Sequence, residues 1–341
     1  MVSVIMAAYN AGAYIEKALE GVFAQSYADF QLIVVDDAST DNTGELLDKQ
    51  DDPRLLVLRN DTRSGAAFSR NRAIQKARGK YVAVLDADDF WHPDKLAAQV
   101  CFLEAHKRAV AVGTYAYETD EEGKPLKKLL FPTDPERVKC STFFRCSIVH
   151  SSIVIKRSFL VDKNLWYNPD FKNAHDFELW SRAVFCGAFH QLPEYLTYYR
   201  RSPGQISTAS GSTQDAYAQE VYKVLLQRMG FSPTAAELQN HLQLVGMETP
   251  EENAALLSEK PASIRKEILR WCGTLYEKNK TVQLFDNRLF AEEIVLRLLK
   301  YCNDTSLGLF RTAGLLLRLH ARLGIGVFPY FRLPARRSKR V

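Results

Sequence analysis

The chain has 341 residues, of which 46% are apolar and 25% are charged, and its formal net charge is +5. This length can bury a sizeable core and suits one large domain with a smaller one, and the composition excludes a disordered or membrane-embedded chain. The six cysteines form no Cys-x-x-Cys pair, so we expect neither a disulfide framework nor a zinc site, and the thiols suit a reducing cytosol. Without a basic leader or a run of 18 apolar residues, we expect no secretory signal and no membrane-spanning helix.

The charge is unevenly distributed along the chain. From Thr305 to Val341 there are eight Arg or Lys residues and no Asp or Glu. Because these eight charges exceed the net charge of the whole chain, the remainder is net acidic. This balance counts against a body that binds nucleic acid.

Strands and helices are predicted to alternate through the first 85 residues. Apolar, β-rich runs predict strands at 2–7, 31–35, 54–58 and 81–85. Helical spacing and capping residues predict helices at 14–23, from the 39–43 turn to 47, and from 65 to Gly79. This β-α-β-α-β-α-β order with short connections predicts an α/β fold with a doubly wound, mostly parallel sheet.

Acidic residues follow two of these strands where each strand ends. Asp37 follows the second strand, and Asp86, Asp88 and Asp89 follow the fourth. Ligands of open α/β sheets bind beyond the carboxyl ends of the strands, and clustered carboxylates repel one another unless a cation or donors satisfy them. Asp86 and Asp88 can face the same side of an extended segment, which suits a hard divalent ion that also binds phosphate oxygens. Alternatively, Asp88 or Asp89 caps a helix that begins near Pro93.

The second half contains one further strand and then a helical region. Residues 147–155 are predicted to form a strand, and an amphipathic helix is predicted from Asp176 through Phe185. Asp176 would be favourable there as a cap or through the helix dipole. From 214 onward helical patterns predominate, at 215–229, 234–246, 249–258, 261–277, 286–301 and 306–322.

The end of the chain combines a basic amphipathic helix with a basic tail. Arg311, Arg318 and Arg322 lie among apolar residues, and further basic residues follow. Such a segment suits an anionic membrane surface, where each basic residue contributes about 1 kcal/mol. Alternatively, the helix packs on the helical region and leaves a solvated tail. The predicted domains are 1–213, a helical region at 214–304 and a membrane-surface segment at 305–341.

Several sequence motifs follow one another in the first part of the chain. They are Val2–Asn10, Leu32–Thr43, Ser69–Asn71, Ala77–Tyr81 and Leu85–Trp91. In this order they resemble the family 2 glycosyltransferases of the GT-A fold, of the bacterial surface-polysaccharide type. The resemblance covers roughly the first 210 residues. It implies a GT-A, Rossmann-like domain, here followed by an all-α C-terminal region.

The resemblance also implies a nucleotide-sugar pocket. Asp37 would bond a uracil-type base, Asp86 would hold the ribose or assist the metal, and Asp88 would ligate Mg²⁺ or Mn²⁺ on the diphosphate. Tyr9 could instead simply cover the first helix, and Arg70 could be a surface charge of its helix. The implied pocket residues are Ala7, Ala8, Tyr9, Asp37, Arg70, Asp86, Ala87 and Asp88.

For the chemical step, the resemblance implies that Asp176 is the general base. One base and an in-line displacement predict inversion at the anomeric carbon. His175 stands where the family has Glu; it could tune Asp176, contact the acceptor or make a local polar contact. Many relatives carry a histidine where this chain has Ser202, so a histidine metal ligand is not expected. Arg200 and Arg201 could contact the diphosphate instead.

The implied function is an inverting hexosyl- or N-acetylhexosaminyltransferase. It would use a UDP-sugar, or alternatively a GDP- or dTDP-sugar, and a hydroxyl of a glycan or lipid-linked glycan in lipopolysaccharide, capsule or exopolysaccharide synthesis. We expect a cytoplasmic protein, peripheral at the inner face of the cell membrane, with a homodimer as one possible assembly. The alternative function is a catalytically silent GT-A-like binding subunit of a membrane glycan-assembly complex.

Overall fold

A computed structural model describes residues 1–201, 211–247 and 261–304. Within these ranges nine strands form one sheet, in the order β3-β2-β1-β4-β8-β6-β9-β5, with β7 paired to β6. The strands are β1 Val2–Ala8, β2 Phe30–Asp36, β3 Leu55–Arg59, β4 Tyr81–Val84, β5 Phe90–Trp91, β6 Ala109–Thr119, β7 Pro125–Leu129, β8 Val154–Lys156 and β9 Ala188–Arg200.

Helices lie on both faces of the sheet and make up the C-terminal region. Among the residues described, no helix is both long and apolar enough to cross a membrane. The helices are α1 Ile15–Phe23, α2 Thr43–Asp48, α3 Ala66–Lys76, α4 Lys95–Ala105, α5 Pro135–Thr142, α6 Arg157–Asp162, α7 His175–Ala183, α8 Gly211–Arg228, α9 Ala235–Val245, α10 Pro261–Val282 and α11 Asn287–Asp304.

The first four strands are parallel, as the sequence predicts. β1 pairs in parallel with β2 and with β4, and β2 pairs in parallel with β3. Their side chains alternate between a cluster under α1 and α4 and a second cluster under α3, α6 and α7, so both faces of the sheet are covered. Each fully buried Val, Leu or Ile contributes about 1.5–3 kcal/mol of transfer free energy. The α/β fold with a mostly parallel sheet and a helical C-terminal region is therefore confirmed.

The other half of the sheet differs from the sequence prediction. The single strand predicted at 147–155 is wrong: a short 3₁₀ turn spans His150–Ser152, and β8 begins only at Val154. The long parallel strands β6 and β9 were not predicted. β8 is antiparallel to both β4 and β6, so β6 and β9 run in the same direction as β4. Their carboxyl ends therefore point to the same edge of the sheet.

The described residues divide into two compact units. One comprises Met1–Val138 and Cys146–Tyr217, and the other comprises Lys139–Arg145 and the helices from Ala218 onward. In the second unit, rings of Phe143, Phe144, Tyr222 and Trp271 surround His241.

The helices predicted at 215–229, 234–246, 261–277 and 286–301 are confirmed. The helices predicted at 249–258 and 306–322, and the basic tail, lie outside the described residues. The predicted domain boundaries at 213 and 304 remain predictions.

Candidate functional site

The parallel register brings the ends of β1, β2 and β4 to one edge of the sheet. Ala8 pairs with Asp36, and the backbone N–H of Asp37 donates to the Ala8 carbonyl oxygen over 2.8 Å. The N–H of Leu85 donates to the Ile5 oxygen over 3.1 Å, so Asp86 also leaves the sheet at this edge. The predicted meeting of the two acidic segments at one edge is confirmed.

Asp37 organises the loop that leads into α3. Its buried carboxylate accepts hydrogen bonds from Asn60 Nδ2 at 2.5 Å, Ser64 N at 2.9 Å and Gly65 N at 2.7 Å. Asn60 Nδ2 also donates to Ser69 Oγ, on the first turns of α3, over 2.9 Å. A carboxylate offers about four lone-pair positions. These three bonds use three of the four positions, and Asp37 is 2% exposed.

The turn after β1 presents Tyr9 near this loop. Tyr9 is 37% exposed, and the Arg63 guanidinium carbon lies 4.0 Å from its ring centroid. Ala8 is buried and Ala7 is half-buried. The backbone N–H of Thr40 donates to Asn10 Oδ1 over 2.9 Å, which ties this turn to the one after β2. One face of the Tyr9 ring is thus covered by the Arg63 guanidinium.

Arg70 of α3 lies in the interior of this edge. It is 5% exposed, which excludes the surface-charge alternative. Its Nη2 donates to Asp86 Oδ1, and its Nη1 donates to His175 Nε2 on α7. Burial opposes the Arg70 charge, but Asp86, Tyr167 and then Asp176 raise the pKa of Arg70 above its ordinary value. Arg70 therefore joins the end of β4 to the start of α7.

His175 is held in one tautomer by its two partners. Arg70 has only donors, so His175 Nε2 accepts the bond between them. The proton then resides on Nδ1, which donates to the Lys172 carbonyl oxygen over 3.2 Å. Burial, and after it the neighbouring Arg70 charge, lower the pKa of His175 below its ordinary value. Both ring nitrogens of this neutral histidine are thus engaged within the protein, as in the local polar contact considered from the sequence.

The three acids after β4 have different surroundings. Burial opposes ionisation of Asp86, but the Arg70 charge and hydrogen bond, together with His150 and His175, lower the pKa of Asp86 below its ordinary value. Burial and the Asp86 charge raise the pKa of Asp88 to about 6. Burial, Asp88 and Asp86 raise the pKa of Asp89 well above its ordinary value. The capping alternative for Asp88 and Asp89 is wrong, because α4 begins at Lys95 and its N-cap residue is Asp94.

Asp89 anchors the turn that carries Asp86 and Asp88. Ser151 Oγ accepts the Asp86 N–H over 3.0 Å and donates to Asp89 Oδ2. The other Asp89 oxygen accepts the Arg200 N–H over 2.8 Å, and Arg200 Nε donates to the Asp88 carbonyl oxygen over 2.7 Å. The turn from Asp86 to Asp89 is thus held by hydrogen bonds to both Ser151 and Arg200.

The two arginines at the end of β9 differ in exposure. Arg200 is 3% exposed, and besides its bonds to the acidic turn it donates to the Glu121 carbonyl oxygen. The Arg201 side chain is 57% exposed, and its Nε lies 3.4 Å from Glu118 Oε1. Arg200 therefore stabilises the acidic turn through Asp88 and Asp89, whereas the Arg201 side chain is exposed to solvent.

Asp176 lies in the first turn of α7, directly after His175. The N-cap position is Ala174 and no side chain caps it, so the capping interpretation of Asp176 is wrong. Asp176 is half-buried, and it contributes to the pKa shifts of Arg70 and Tyr167. The Asp176 carboxylate is therefore close enough to interact electrostatically with the buried Arg70 and Tyr167.

Within the described ranges, no group of three or more His, Cys, Asp or Glu side chains could hold a metal ion by itself. Asp86 and Asp88 nevertheless offer two carboxylates at one edge of the sheet. Mg²⁺ in phosphate-binding sites is held by one or two carboxylates, with water and substrate phosphates completing the shell. The donor set therefore fits an ion shared with a diphosphate.

The sequence analysis did not single out two buried residues beside His175, namely His150 and Tyr167. His150 Nε2 and Tyr167 Oη are 3.2 Å apart, and both rings are buried beside His175. Burial lowers the pKa of His150 to about 4, so this ring is neutral at pH 7. His150 and Ser151 lay inside a run that resembled a strand. The only available signal was polar residues within that apolar run.

Comparisons with known proteins place the chain among sugar transferases. Residues 3–168 match the model of "Glycosyl transferase family 2". The chain is 31% identical over 208 residues to the Escherichia coli UDP-Glc:alpha-D-GlcNAc-diphosphoundecaprenol beta-1,3-glucosyltransferase WfaP, covering 61% of this chain and 80% of that protein. It is 32% identical over 212 residues to the putative teichuronic acid biosynthesis glycosyltransferase TuaG of Bacillus subtilis, covering 61% and 82%.

A solved structure shows the same fold. Residues 1–349 of S. aureus TarS in complex with UDP-GlcNAc superpose with a TM-score of 0.59 and 20% identity. The match covers 95% of this chain and 92% of the TarS chain.

Proposed function

Because the chain belongs to the family 2 glycosyltransferases, and is thus a glycosyltransferase, we propose that it moves one sugar from a UDP-sugar to a hydroxyl group. The acceptor in this proposal is a glycan or lipid-linked glycan of cell-surface polysaccharide synthesis. The name of WfaP specifies a UDP-glucose donor and an acceptor linked to undecaprenyl diphosphate, which supports this choice. The observation that carries the proposal is that Arg70 joins Asp86 at the acidic edge to His175, the neighbour of Asp176.

The donor nucleotide would bind over the turns after β1 and β2. Asp37 keeps one acceptor position for the base, and the half-exposed ring of Tyr9 lies beside the basic Arg63. Arg70 would face the nucleotide from behind Asp86. Ala7, Ala8 and Ala87 are small, which lets a ligand approach the backbone at this edge.

Asp86 and Asp88 would hold a Mg²⁺ or Mn²⁺ ion together with the diphosphate. Such an ion supplies positive charge that stabilises the leaving diphosphate. Burial and the Asp86 charge raise the pKa of Asp88 to about 6, and a cation held by the two carboxylates would offset their repulsion. Arg200 supports this turn from behind through the Asp88 carbonyl oxygen.

Asp176 would act as general base on the acceptor side. The acceptor oxygen attacks the anomeric carbon and forms the new C–O bond, while the bond from that carbon to the diphosphate oxygen breaks. The proton of the acceptor hydroxyl passes to the Asp176 carboxylate, and the nucleoside diphosphate departs with the bonding electrons. A single in-line displacement of this kind inverts the anomeric configuration.

The proposal places the protein in the cytoplasm at the inner face of the cell membrane. Its support is the basic, amphipathic composition of residues 305–341, which lie outside the described ranges. A lipid-linked acceptor would also be presented at that surface.

A donor screen tests the proposal. The full chain is incubated with UDP-, GDP- and dTDP-sugars, Mn²⁺ and a lipid-linked glycan acceptor, and released nucleotide and glycosylated product are measured by mass spectrometry. We expect UDP and extended acceptor to form together, and chelation with EDTA to stop both. Release of GDP or dTDP instead would show that the donor is a GDP- or dTDP-sugar. Tight nucleotide binding without release from any donor would favour the catalytically silent binding subunit.

A further inference from the structure

The Arg70 guanidinium makes two side-chain hydrogen bonds, and its carbon lies 5.8 Å from the centroid of the Tyr167 ring. Its Nη2 is held by Asp86 and its Nη1 by His175, whereas its buried Nε has no hydrogen-bond partner among the described residues. A guanidinium held at a single point can pivot about that bond. The direction of the Arg70 plane therefore depends on the second bond, the one to His175.

We propose that His175 is a positioning residue, whose unprotonated Nε2 holds the Arg70 guanidinium in the orientation in which it faces Asp86 and the donor nucleotide. This inference rests on the proposed function for the identity of that ligand. It differs from a contact between His175 and the acceptor, because both ring nitrogens are already engaged and the residue is 8% exposed.

The orientation of His175 is itself determined by the backbone before α7. Its Nδ1–H donates to the Lys172 carbonyl oxygen, so the ring presents Nε2, and no proton, to Arg70. The rings of His150 and Tyr167 lie 6.0 and 5.9 Å from it, nearly perpendicular in the first case, and limit its rotation. Burial and the Arg70 charge keep the ring neutral. An imidazolium would lack the acceptor and repel the guanidinium.

The connection joins the two halves of the proposed reaction. α3 carries Arg70 at the donor side, and α7 carries His175 and then Asp176 at the acceptor side. Consecutive positions in the first turn of one helix move together. A histidine that grips Arg70 therefore also fixes the start of α7 relative to the end of β4.

Two substitutions separate the positioning role from simple packing. In His175→Gln, the side-chain amide reaches the place of Nε2, so its oxygen can still accept from Arg70. In His175→Asn, the shorter amide reaches only the place of Nδ1, so it can still donate to Lys172 but cannot reach Arg70. Both variants remove the ring, so any loss caused by packing alone should be shared.

The readout is the dissociation constant of UDP with Mn²⁺, measured by calorimetry on the full chain, together with the donor and acceptor KM. A hydrogen bond to a charged group corresponds to an effect on the order of tenfold. We expect His175→Asn to raise the UDP dissociation constant and donor KM about tenfold. His175→Gln should stay within about threefold of the parent and leave the acceptor KM unchanged. Equal effects of the two variants, or none, would overturn the inference.

A measurement without any ligand keeps this inference separate from the proposed function. Histidine-selective ¹⁵N labelling of the full chain reports the tautomer of each of the seven rings, and the signal lost in His175→Asn identifies His175. We expect the neutral Nδ1–H tautomer at pH 7. An Nε2–H tautomer or an imidazolium would contradict the inference, because neither can accept from Arg70. Failure of the parent protein to bind or use any nucleotide-sugar would contradict only the proposed function.

Discussion

At the scale of single residues, the acids of this edge have different tasks although the sequence presents them as equivalent. Asp89 gives both oxygens to the protein, to Ser151 and to the backbone of Arg200. Asp37 already accepts three internal bonds. Asp86 is paired with Arg70, and Asp88 keeps a raised pKa. The sequence predicted that the acids meet, but not these tasks, because the partners come from remote positions that spacing does not reveal.

Ser151→Ala tests the anchoring of the acidic turn. The substitution removes the acceptor of the Asp86 N–H and the donor to the buried Asp89, a loss of about 1–3 kcal/mol for the group left unsatisfied. We expect Mn²⁺-dependent UDP affinity to fall about tenfold, because Asp86 and Asp88 lose their fixed geometry. Isothermal calorimetry measures this change.

Ser152→Ala is the matched control, since it alters the same 3₁₀ turn. Ser152 Oγ donates to the Val149 carbonyl oxygen over 2.7 Å and has no bond to the acidic turn. We expect its UDP affinity to match that of the parent protein. Equal losses in both variants would mean that the turn, rather than Ser151 Oγ, supports the acids.

At the scale of elements, prediction succeeded where the pattern was local. β1 to β4 and α1 to α3 were predicted because apolar runs, turns and caps follow one another with short connections. β6 and β9 were missed, although they pair along most of their length, because their partners are far apart in sequence. The 147–155 run looked like one strand, but it does not continue a strand ladder through its serines. Ser151 bonds to the acidic turn, and Ser152 bonds to the Val149 carbonyl oxygen.

Helix α4 contains a polar group that the composition did not reveal. Lys95 is fully buried, its Nζ donates to Gln99 Oε1 over 2.8 Å, and it lies 4.0 Å from the Trp91 ring centroid. Burial lowers the pKa of Lys95 well below its ordinary value. The Lys95 amine therefore binds its proton more tightly in the unfolded chain than in the folded protein. As a result, the free energy of unfolding is reduced at pH 7, and it rises as the pH approaches the ordinary lysine pKa.

Lys95→Met should therefore make the free energy of unfolding less dependent on pH. Methionine fills a similar space without a proton, but it leaves the buried Gln99 Oε1 without its lysine donor, a loss of about 1–3 kcal/mol. We expect the parent protein to gain stability relative to the variant as pH rises from 7 to 10, because only the parent contains the buried lysine. Urea denaturation at both pH values measures it, with the exposed Lys49→Met as control. A Lys95→Met variant whose free energy of unfolding changes with pH as much as that of the parent protein would contradict this expectation.

At the scale of the whole molecule, the family and the fold are established, and the chemistry proposed for the site depends on residues of one compact unit. All site residues discussed above lie in Met1–Val138 or Cys146–Tyr217. The family resemblance was readable because its motifs occupy the local, well-predicted half of the chain. Donor and acceptor identity depend on a few contacts, which no spacing rule encodes. The membrane-surface role of 305–341 remains a proposal from composition.

The most direct test of the central claim is Asp176→Asn, measured for both binding and transfer. The claim is that one carboxylate acts on the acceptor while a separate group of acids binds the donor. We expect the rate of sugar transfer to fall by about 10²–10⁴-fold, the usual contribution of a general base, with the UDP dissociation constant unchanged. The control is Asp170→Asn, at an exposed position shortly before α7, which should keep full activity. Transfer that survives in Asp176→Asn, or UDP binding that disappears with it, would contradict the account.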